Sequence, residues 1–243
     1  MMTPTAAPPR RQEGLKCAVL IGMGLYLAAL ILTNRLSNYI NLQFGWLTLM
    51  SAVLLIGMGL WSLWQMRRPT ALGTSHLPIQ LSSLFVLSIP LLLGVLVPSQ
   101  PLSASAITGG VSLNPVGGSM VQNYVKPPLE RNILEWLREF SNTANPAAFD
   151  GMEVDVVGFI YREPNMDANQ FMVARFTMSC CVADAFAIGL PVDDESIVEL
   201  ADGTWIRVRG TLKSGTFNGN AVPIITPTSI DPIDTPEQPY LYS

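Results

Sequence analysis

Two adjacent cysteines and a nearby carboxylate are the residues of this chain best suited to chemistry. Cys180 and Cys181 are followed three positions later by Asp184. Thiolate ligands select soft cations such as zinc, and a carboxylate supplies a harder oxygen ligand. The sequence therefore predicts a metal site for Zn²⁺ or another soft divalent ion, formed by these three side chains.

Two other interpretations of the cysteine pair stay open. The thiols could cycle through a strained disulfide, because consecutive Cα atoms lie about 3.8 Å apart whereas an ordinary disulfide joins Cα atoms about 4.4–6.8 Å apart. The two residues could also be small apolar packing, and Asp184 could be a turn or helix cap. Because neighbours in a strand point to opposite faces, only a bend or bulge would bring both thiols to one ion.

The sequence shows no catalytic motif that could work together with these residues. The only histidine, His76, precedes the last apolar segment, so a Ser–His–Asp triad cannot form in the polar part of the chain beyond it. No Gly-rich phosphate loop and no paired-carboxylate signature is present. We therefore expect no catalytic residues and no enzymatic activity.

Charge divides the chain into two parts. Up to Val97, six Lys and Arg residues stand against the single acid Glu13, whereas the remainder has eight basic and seventeen acidic residues. A basic, apolar front and an acidic, polar back are typical of a membrane anchor that carries a water-soluble domain. The acidic part argues against nucleic-acid binding, which needs a basic surface.

Three apolar segments predict a membrane α-helical region with three transmembrane helices. They lie at 15–34, 42–64 and 79–97, after an N-terminal stretch at 1–14 that we expect to be disordered. Pro90 lies inside the third segment, where packed neighbouring helices can tolerate a kink.

Basic residues flanking these segments indicate their orientation. Arg10, Arg11 and Lys16 precede the first segment, and Arg67 with Arg68 follows the second. The positive-inside rule then puts the N-terminus in the cytoplasm and everything after the third crossing outside. The expected location is the bacterial inner membrane, with several passes through the lipid and an extracytoplasmic C-terminal domain.

A Pro-, Gly- and Ser-rich stretch at 98–128 predicts a flexible linker to an all-β domain at 129–243. Apolar spacing predicts a leading amphipathic helix over 129–142. Five strands with period two then favour a small closed barrel of the OB type, and a β-sandwich is the alternative. The predicted strands cover 152–160, 170–178, 185–191, 204–212 and, after a hairpin turn at 218–220, 221–226.

Within this domain, two single residues carry structural expectations. Arg175 interrupts an apolar strand, which predicts a partnered charge, with one of the domain's many carboxylates as the candidate partner. Trp205, at the start of the cleanest alternation, is predicted to be a core residue.

The C-terminal domain resembles the YcgQ-type family of uncharacterised bacterial membrane proteins. The likeness rests on Gly158-Phe159, Ala174-Arg175-Phe176, Cys180-Cys181-x-Ala183-Asp184, Trp205-x-x-Val208-x-Gly210 and Pro239-Tyr240. It implies a hydrophobic N-terminus, a C-terminal β domain and a multi-spanning permease as partner, but no reaction. The function we expect is that of an accessory subunit of a two-component transport system, and the alternative is a membrane-tethered thiol redox protein.

Overall fold

The computed structural model describes residues 10–67, 81–114, 126–163, 166–167, 169–194 and 200–242. It consists of two compact units. The first comprises the residues up to Leu36 and Leu42–Gln100, and the second comprises Ser37–Asn41 and Pro101–Ser243. The predicted disordered stretch at 1–14 falls mostly outside the described residues, as do His76 and the middle of the predicted linker.

Three helices form the first unit: α1 (Arg10–Leu32), α2 (Gly45–Arg67) and α3 (Leu81–Leu96). Two apolar stretches, Gln12–Leu32 and Leu42–Arg67, are long and apolar enough to cross a membrane. α3 is apolar and contains Pro90 as predicted, but its 16 residues are short for a bilayer span of about 20. Among the described residues the structure thus gives two candidate spans where the sequence predicts three.

Small residues let α1 and α2 approach each other closely. A Cβ atom on Gly24 would lie 2.6 Å from Cγ1 of Ile56, and one on Gly59 would lie 2.6 Å from Cγ1 of Ile21. Ala52 of α2 and Cys17 of α1 are buried. Packing of this kind stabilises helix pairs in lipid, where apolar burial between helices gains little.

The second unit begins its regular structure with α4 (Ile133–Asn142), which starts later than predicted. A capping box marks the start: the Asn132 side chain accepts from the Glu135 backbone N–H, and the Glu135 carboxylate accepts from the Asn132 backbone N–H. Its apolar face buries Trp136 and Leu137, so the predicted leading helix is confirmed.

Five strands close into a barrel: β1 (Glu153–Tyr161), β2 (Gln170–Met178), β3 (Phe186–Asp193), β4 (Trp205–Phe217) and β5 (Asn220–Pro232). Their order around the barrel is β1-β2-β3-β5-β4, and β4 pairs back to β1. Among these five strands, all pairings are antiparallel except that of β3 with β5. A short β6 (Leu241–Tyr242) adds to β2 in parallel. This closed five-stranded, OB-like barrel confirms the predicted fold of the C-terminal domain.

β4 and β5 form a long hairpin, in which β4 continues past its predicted end at 212 and β5 past its predicted end at 226. Its two-residue turn has positive φ at Asn218 and Gly219, as the sequence predicts. A bulge between Arg209 and Gly210 shifts the register opposite Pro227. Prolines rarely continue a strand, and the bulge accommodates this one, so the prediction ended β5 too early.

Two apolar clusters lie in this unit. The first joins alternate strand residues such as Val154 and Val156 to the apolar face of α4. The second contains Phe159 and the predicted core residue Trp205, and it is covered by Leu102, Ala104, Ala106, Ile107, Val111 and Leu113. The first part of the segment that we expected to be a flexible linker therefore packs on the barrel, because these apolar side chains need cover.

Candidate metal site

The cysteine pair lies in a bent loop between β2 and β3. The chain bends at Ser179 and Cys180 and then makes one short 3-10 turn over Val182–Asp184. The Asp184 backbone N–H donates to the Cys181 carbonyl over 3.0 Å within that turn. The pair thus lies just past the end of a strand, where the strict alternation of side chains no longer applies.

The Asp184 carboxylate stabilises this bend by hydrogen bonds to its backbone. One carboxylate oxygen accepts a hydrogen bond from the Ser179 backbone N–H over 3.1 Å, and the other accepts from the Cys180 backbone N–H over 2.8 Å. The turn-stabilising role considered for Asp184 is therefore present. Each oxygen has a second lone pair, so these two bonds leave the carboxylate able to bind a cation as well.

The bend brings the predicted ligands together. The Cys180 and Cys181 sulfur atoms lie 3.7 Å apart, and one ligand atom from each cysteine and from Asp184 all lie within 4.8 Å of one another. Two sulfurs bound at about 2.3 Å to one tetrahedral zinc would be about 3.8 Å apart. The donor set and its spacing therefore fit a zinc-like ion, with Cys180 exposed and Cys181 half-buried.

The surroundings of Cys180 favour its protonated thiol when no cation is bound. A hydrogen bond to Asp184, a second to Cys181 and the nearby negative charge raise the pKa of Cys180 to about 11. Burial acts to raise the pKa of Asp184, but the hydrogen bonds from Cys180 and the backbone outweigh it, and that pKa is lowered. At neutral pH the carboxylate of Asp184 is thus charged and the Cys180 thiol is neutral, and a cation would have to displace the proton of that thiol.

A five-residue strap, Ser37–Asn41, pairs with the outside of the cysteine loop within the same compact unit. Ile40 forms an antiparallel bridge with Cys181. In that bridge the Asn41 backbone N–H donates to the Cys180 carbonyl over 3.0 Å, and the Val182 N–H donates to the Tyr39 carbonyl over 2.9 Å. Sequence reasoning missed this pairing, since nothing in the strap's composition indicates it.

The side chain of Asn41 adds a third bond to the loop. Its amide donates to the Ser179 carbonyl over 2.9 Å, and the residue is only 3% exposed. A buried amide without a partner would be costly, so this bond fixes where the strap sits on the loop. Together the strap bonds satisfy backbone groups on Ser179, Cys180 and Val182.

Arg175 is partnered, but its partners are not carboxylates. Its guanidinium donates to the carbonyls of Gln238 and Pro239 and lies 5.7 Å from the Trp205 ring centre. Burial lowers its pKa to about 10. This arrangement ties the C-terminal segment to β2, so Arg175 has a structural role beside the site.

A separate cavity of about 290 Å³ opens between α4 and the strands β3 and β5. Its walls are mainly apolar and include Phe140, Phe149, Pro191 and Pro223. Cys180, Cys181 and Asp184 do not line it. This cavity is therefore separate from the candidate metal site.

These features define a class: a protein with a helical unit suited to membranes and an OB-like barrel domain that carries a thiol-rich loop. Models of the DUF1980 N-terminal and C-terminal domains match residues 15–110 and 129–243. The chain belongs to this family, whose members include the YcgQ-type proteins that the sequence resembles.

Two relatives and one solved structure are similar to the chain. The UPF0703 protein YcgQ of Bacillus subtilis (strain 168) is 30% identical over 99 residues, which are 40% of this chain and 35% of that protein. A Streptococcus mutans protein named "Putative two-component membrane permease complex subunit" is 24% identical over 90% of this chain and 94% of its own length. A small single-stranded DNA-binding protein from Streptomyces coelicolor matches 35% of this chain and 94% of its own, at 12% identity and a TM-score of 0.24, too low to support an inference.

Proposed function

We propose that the protein is the accessory subunit of a two-component membrane permease complex and that its barrel domain binds a soft divalent cation for the multi-spanning permease. The similarity to the Streptococcus mutans protein runs through both units of the chain. The permease would perform the transport, and this chain would perform no turnover of its own. The extracytoplasmic side is where such a domain could collect an ion.

The convergence of Cys180, Cys181 and Asp184 carries the cation-binding part of the proposal. The sulfurs, 3.7 Å apart, match the separation of two thiolates on one zinc, and the Asp184 carboxylate lies within 4.8 Å of them. When bound, the ion would neutralise the charge of the thiolates and of the carboxylate. Closed structural zinc sites have four protein ligands, so a site with three ligands and an exposed cysteine suits an ion that is passed on.

A three-span topology is also part of the proposal. The strap precedes α2, and the chain rejoins the same compact unit at Pro101, after α3. If α2 crosses the membrane, the chain must cross back before Pro101, and α3 is the apolar helix available for it. Apolar side chains such as Phe85 and Val95 are exposed on α3, as a lipid-facing helix requires. The N-terminus would then be cytoplasmic and the barrel outside.

A thiol redox function is the rival, and the sulfur atoms are close enough for it. The attacking species in thiol–disulfide exchange is the thiolate, however, and a pKa of about 11 leaves Cys180 almost wholly protonated at neutral pH. A bound cation would offset the free-energy cost of deprotonating Cys180 by coordinating the thiolate directly, whereas a disulfide partner would not. The raised pKa of Cys180 therefore argues for cation binding over thiol exchange.

Metal analysis of the full-length protein tests this proposal. Purified in detergent and reduced, the protein should retain about one Zn²⁺ after equilibrium dialysis. The double variant Cys180→Ser, Cys181→Ser should lose that ion, whereas Cys17→Ala, which changes the buried cysteine of α1, should keep it. Stoichiometric binding that survives the double replacement would refute the cation role.

Affinity purification from native membranes should recover a multi-spanning permease, and its absence would refute the subunit role.

A further inference from the structure

We infer that the Ser37–Asn41 strap couples cation loading at the cysteine pair to α1 and α2. The inference rests on the proposed cation site. The strap is the part of the chain between these helices, since α1 ends at Leu32 and α2 begins at Gly45. It is bonded to the one loop that carries both thiols.

The strap bonds involve the same peptide units that an ion would constrain. Asn41 bonds the carbonyls of Ser179 and Cys180, and the Tyr39 carbonyl accepts from Val182, on the other side of the pair. Closing Cys180 and Cys181 on one ion restricts the rotation of these peptides. The restricted loop breaks its bonds to the strap less often, so the loaded site holds the strap more firmly.

Linkage makes this effect reciprocal. If the ion favours the docked strap, the docked strap must favour the ion by the same factor. Asn41 is then a positioning residue for the site although it supplies no ligand. The strap is joined to the end of α1 by residues 33–36 and to the start of α2 by residues 42–44. Because these connections are short, a more firmly held strap also restrains those two helix ends. The ion thus provides a signal that the helices, and a permease packed on them, can respond to.

The test compares hydrogen exchange of the full-length protein in detergent with and without Zn²⁺, read by mass spectrometry. We expect Zn²⁺ to slow exchange in peptides covering both the strap and residues 179–184. The double variant Cys180→Ser, Cys181→Ser should show no such slowing. A role in folding alone would give the same exchange with and without the ion.

A matched pair of variants tests the reciprocal effect. Asn41→Ala removes one hydrogen bond and should weaken Zn²⁺ binding about fivefold. Asn114→Ala, at an exposed asparagine of the same unit outside the strap and the cysteine loop, should leave affinity unchanged. Stoichiometric Zn²⁺ binding with unchanged strap exchange would overturn the coupling and leave the cation site standing. Failure of the unmodified protein to bind Zn²⁺ would overturn both.

Discussion

The carboxylate of Asp184 accepts a hydrogen bond from the backbone N–H of Cys180 over 2.8 Å and also accepts one from the thiol of that residue. One side chain therefore shapes the loop and suppresses ionisation of the thiol. The two effects oppose each other in the absence of a cation, because the loop that brings the sulfurs together also keeps Cys180 protonated. A cation reverses the second effect, since all three groups can then be negative.

Replacing Asp184 by Asn should make Cys180 more reactive. The amide replaces the carboxylate whose hydrogen bond with the thiol, and then whose negative charge, raise the pKa of Cys180, so more thiolate is present at a given pH. We expect faster alkylation by iodoacetamide at pH 8 in the metal-free protein, with Cys180 followed by peptide mass spectrometry. Asp234→Asn, at an exposed residue of the C-terminal segment, should not change the rate. Equal rates in the two variants would contradict the assigned role of Asp184.

The packing of residues 101–114 predicts which soluble fragment is stable. A fragment of residues 101–243 keeps the cover over the second apolar cluster, whereas a fragment of 129–243 exposes it. We expect both to show mainly strand by circular dichroism and the longer one to have the larger free energy of unfolding in urea. Equal stability would mean that the segment is not part of the unit.

Within that cover, the Leu102 backbone N–H donates to the Tyr240 hydroxyl over 2.8 Å. Tyr240→Phe removes this acceptor and should cost about 1 kcal/mol in the free energy of unfolding of the 101–243 fragment. The Leu102 amide should also exchange faster with solvent. Unchanged exchange at Leu102 would show that the bond contributes nothing to docking of the segment.

Gly210 is required by the bulge in β4. A Cβ atom there would lie 2.1 Å from the Thr226 carbonyl oxygen, so the backbone must shift to accept a side chain. We expect Gly210→Ala to destabilise the fragment by about 1–3 kcal/mol, as overpacking does. Gly109→Ala is the matched control, because a Cβ there meets nothing within 4 Å and should be tolerated.

On the outer surface of the barrel, Asp155 accepts two hydrogen bonds from Arg207, over 2.7 and 2.6 Å. These bonds lower the pKa of Asp155 by more than partial burial raises it, so the pKa lies below its usual value. A lowered carboxyl pKa stabilises the fold above the unfolded-state value of about 3.9, and that stability is lost as the pH falls through the lower folded-state value.

Asp155→Asn should therefore cost about 0.5–1 kcal/mol at pH 7 and little at pH 2. Urea unfolding of the fragment across this pH range measures the difference. A cost that stays constant with pH would indicate lost packing instead of a lost charge pair.

Local signals predicted what lies close in sequence. The Asn218–Gly219 turn depends on residues within a few positions of each other and is found as predicted. The predicted leading helix is also found, although it begins at Ile133 instead of at 129. The proximity of Cys180 to Asp184 needed only a bend, which short spacing permits. Steric and hydrogen-bonding preferences of a few neighbouring residues decide such features, and these are legible in the sequence.

Long-range pairings were not predictable in this way. The partner of Asn41 is 138 residues away at Ser179, and the carbonyls that accept from Arg175 lie more than 60 residues after it. The acceptors of these bonds are backbone carbonyls, so the type of the accepting residue carries no signal for them. The packing of residues 101–114 on the barrel was missed for a related reason. Their Pro, Ser and Gly content indicates irregular structure, and it is the same whether such a segment is free or packed on a domain.

The strap also has a consequence for how the protein is made. A ribosome delivers Ser37–Asn41 long before the cysteine loop, because 138 residues separate Asn41 from Ser179. The strap therefore cannot pair with the cysteine loop until that loop has been synthesised. The pairing of the strap with the cysteine loop is thus among the last contacts that the growing chain can form, whereas the bend at 179–184 needs only residues that are close in sequence.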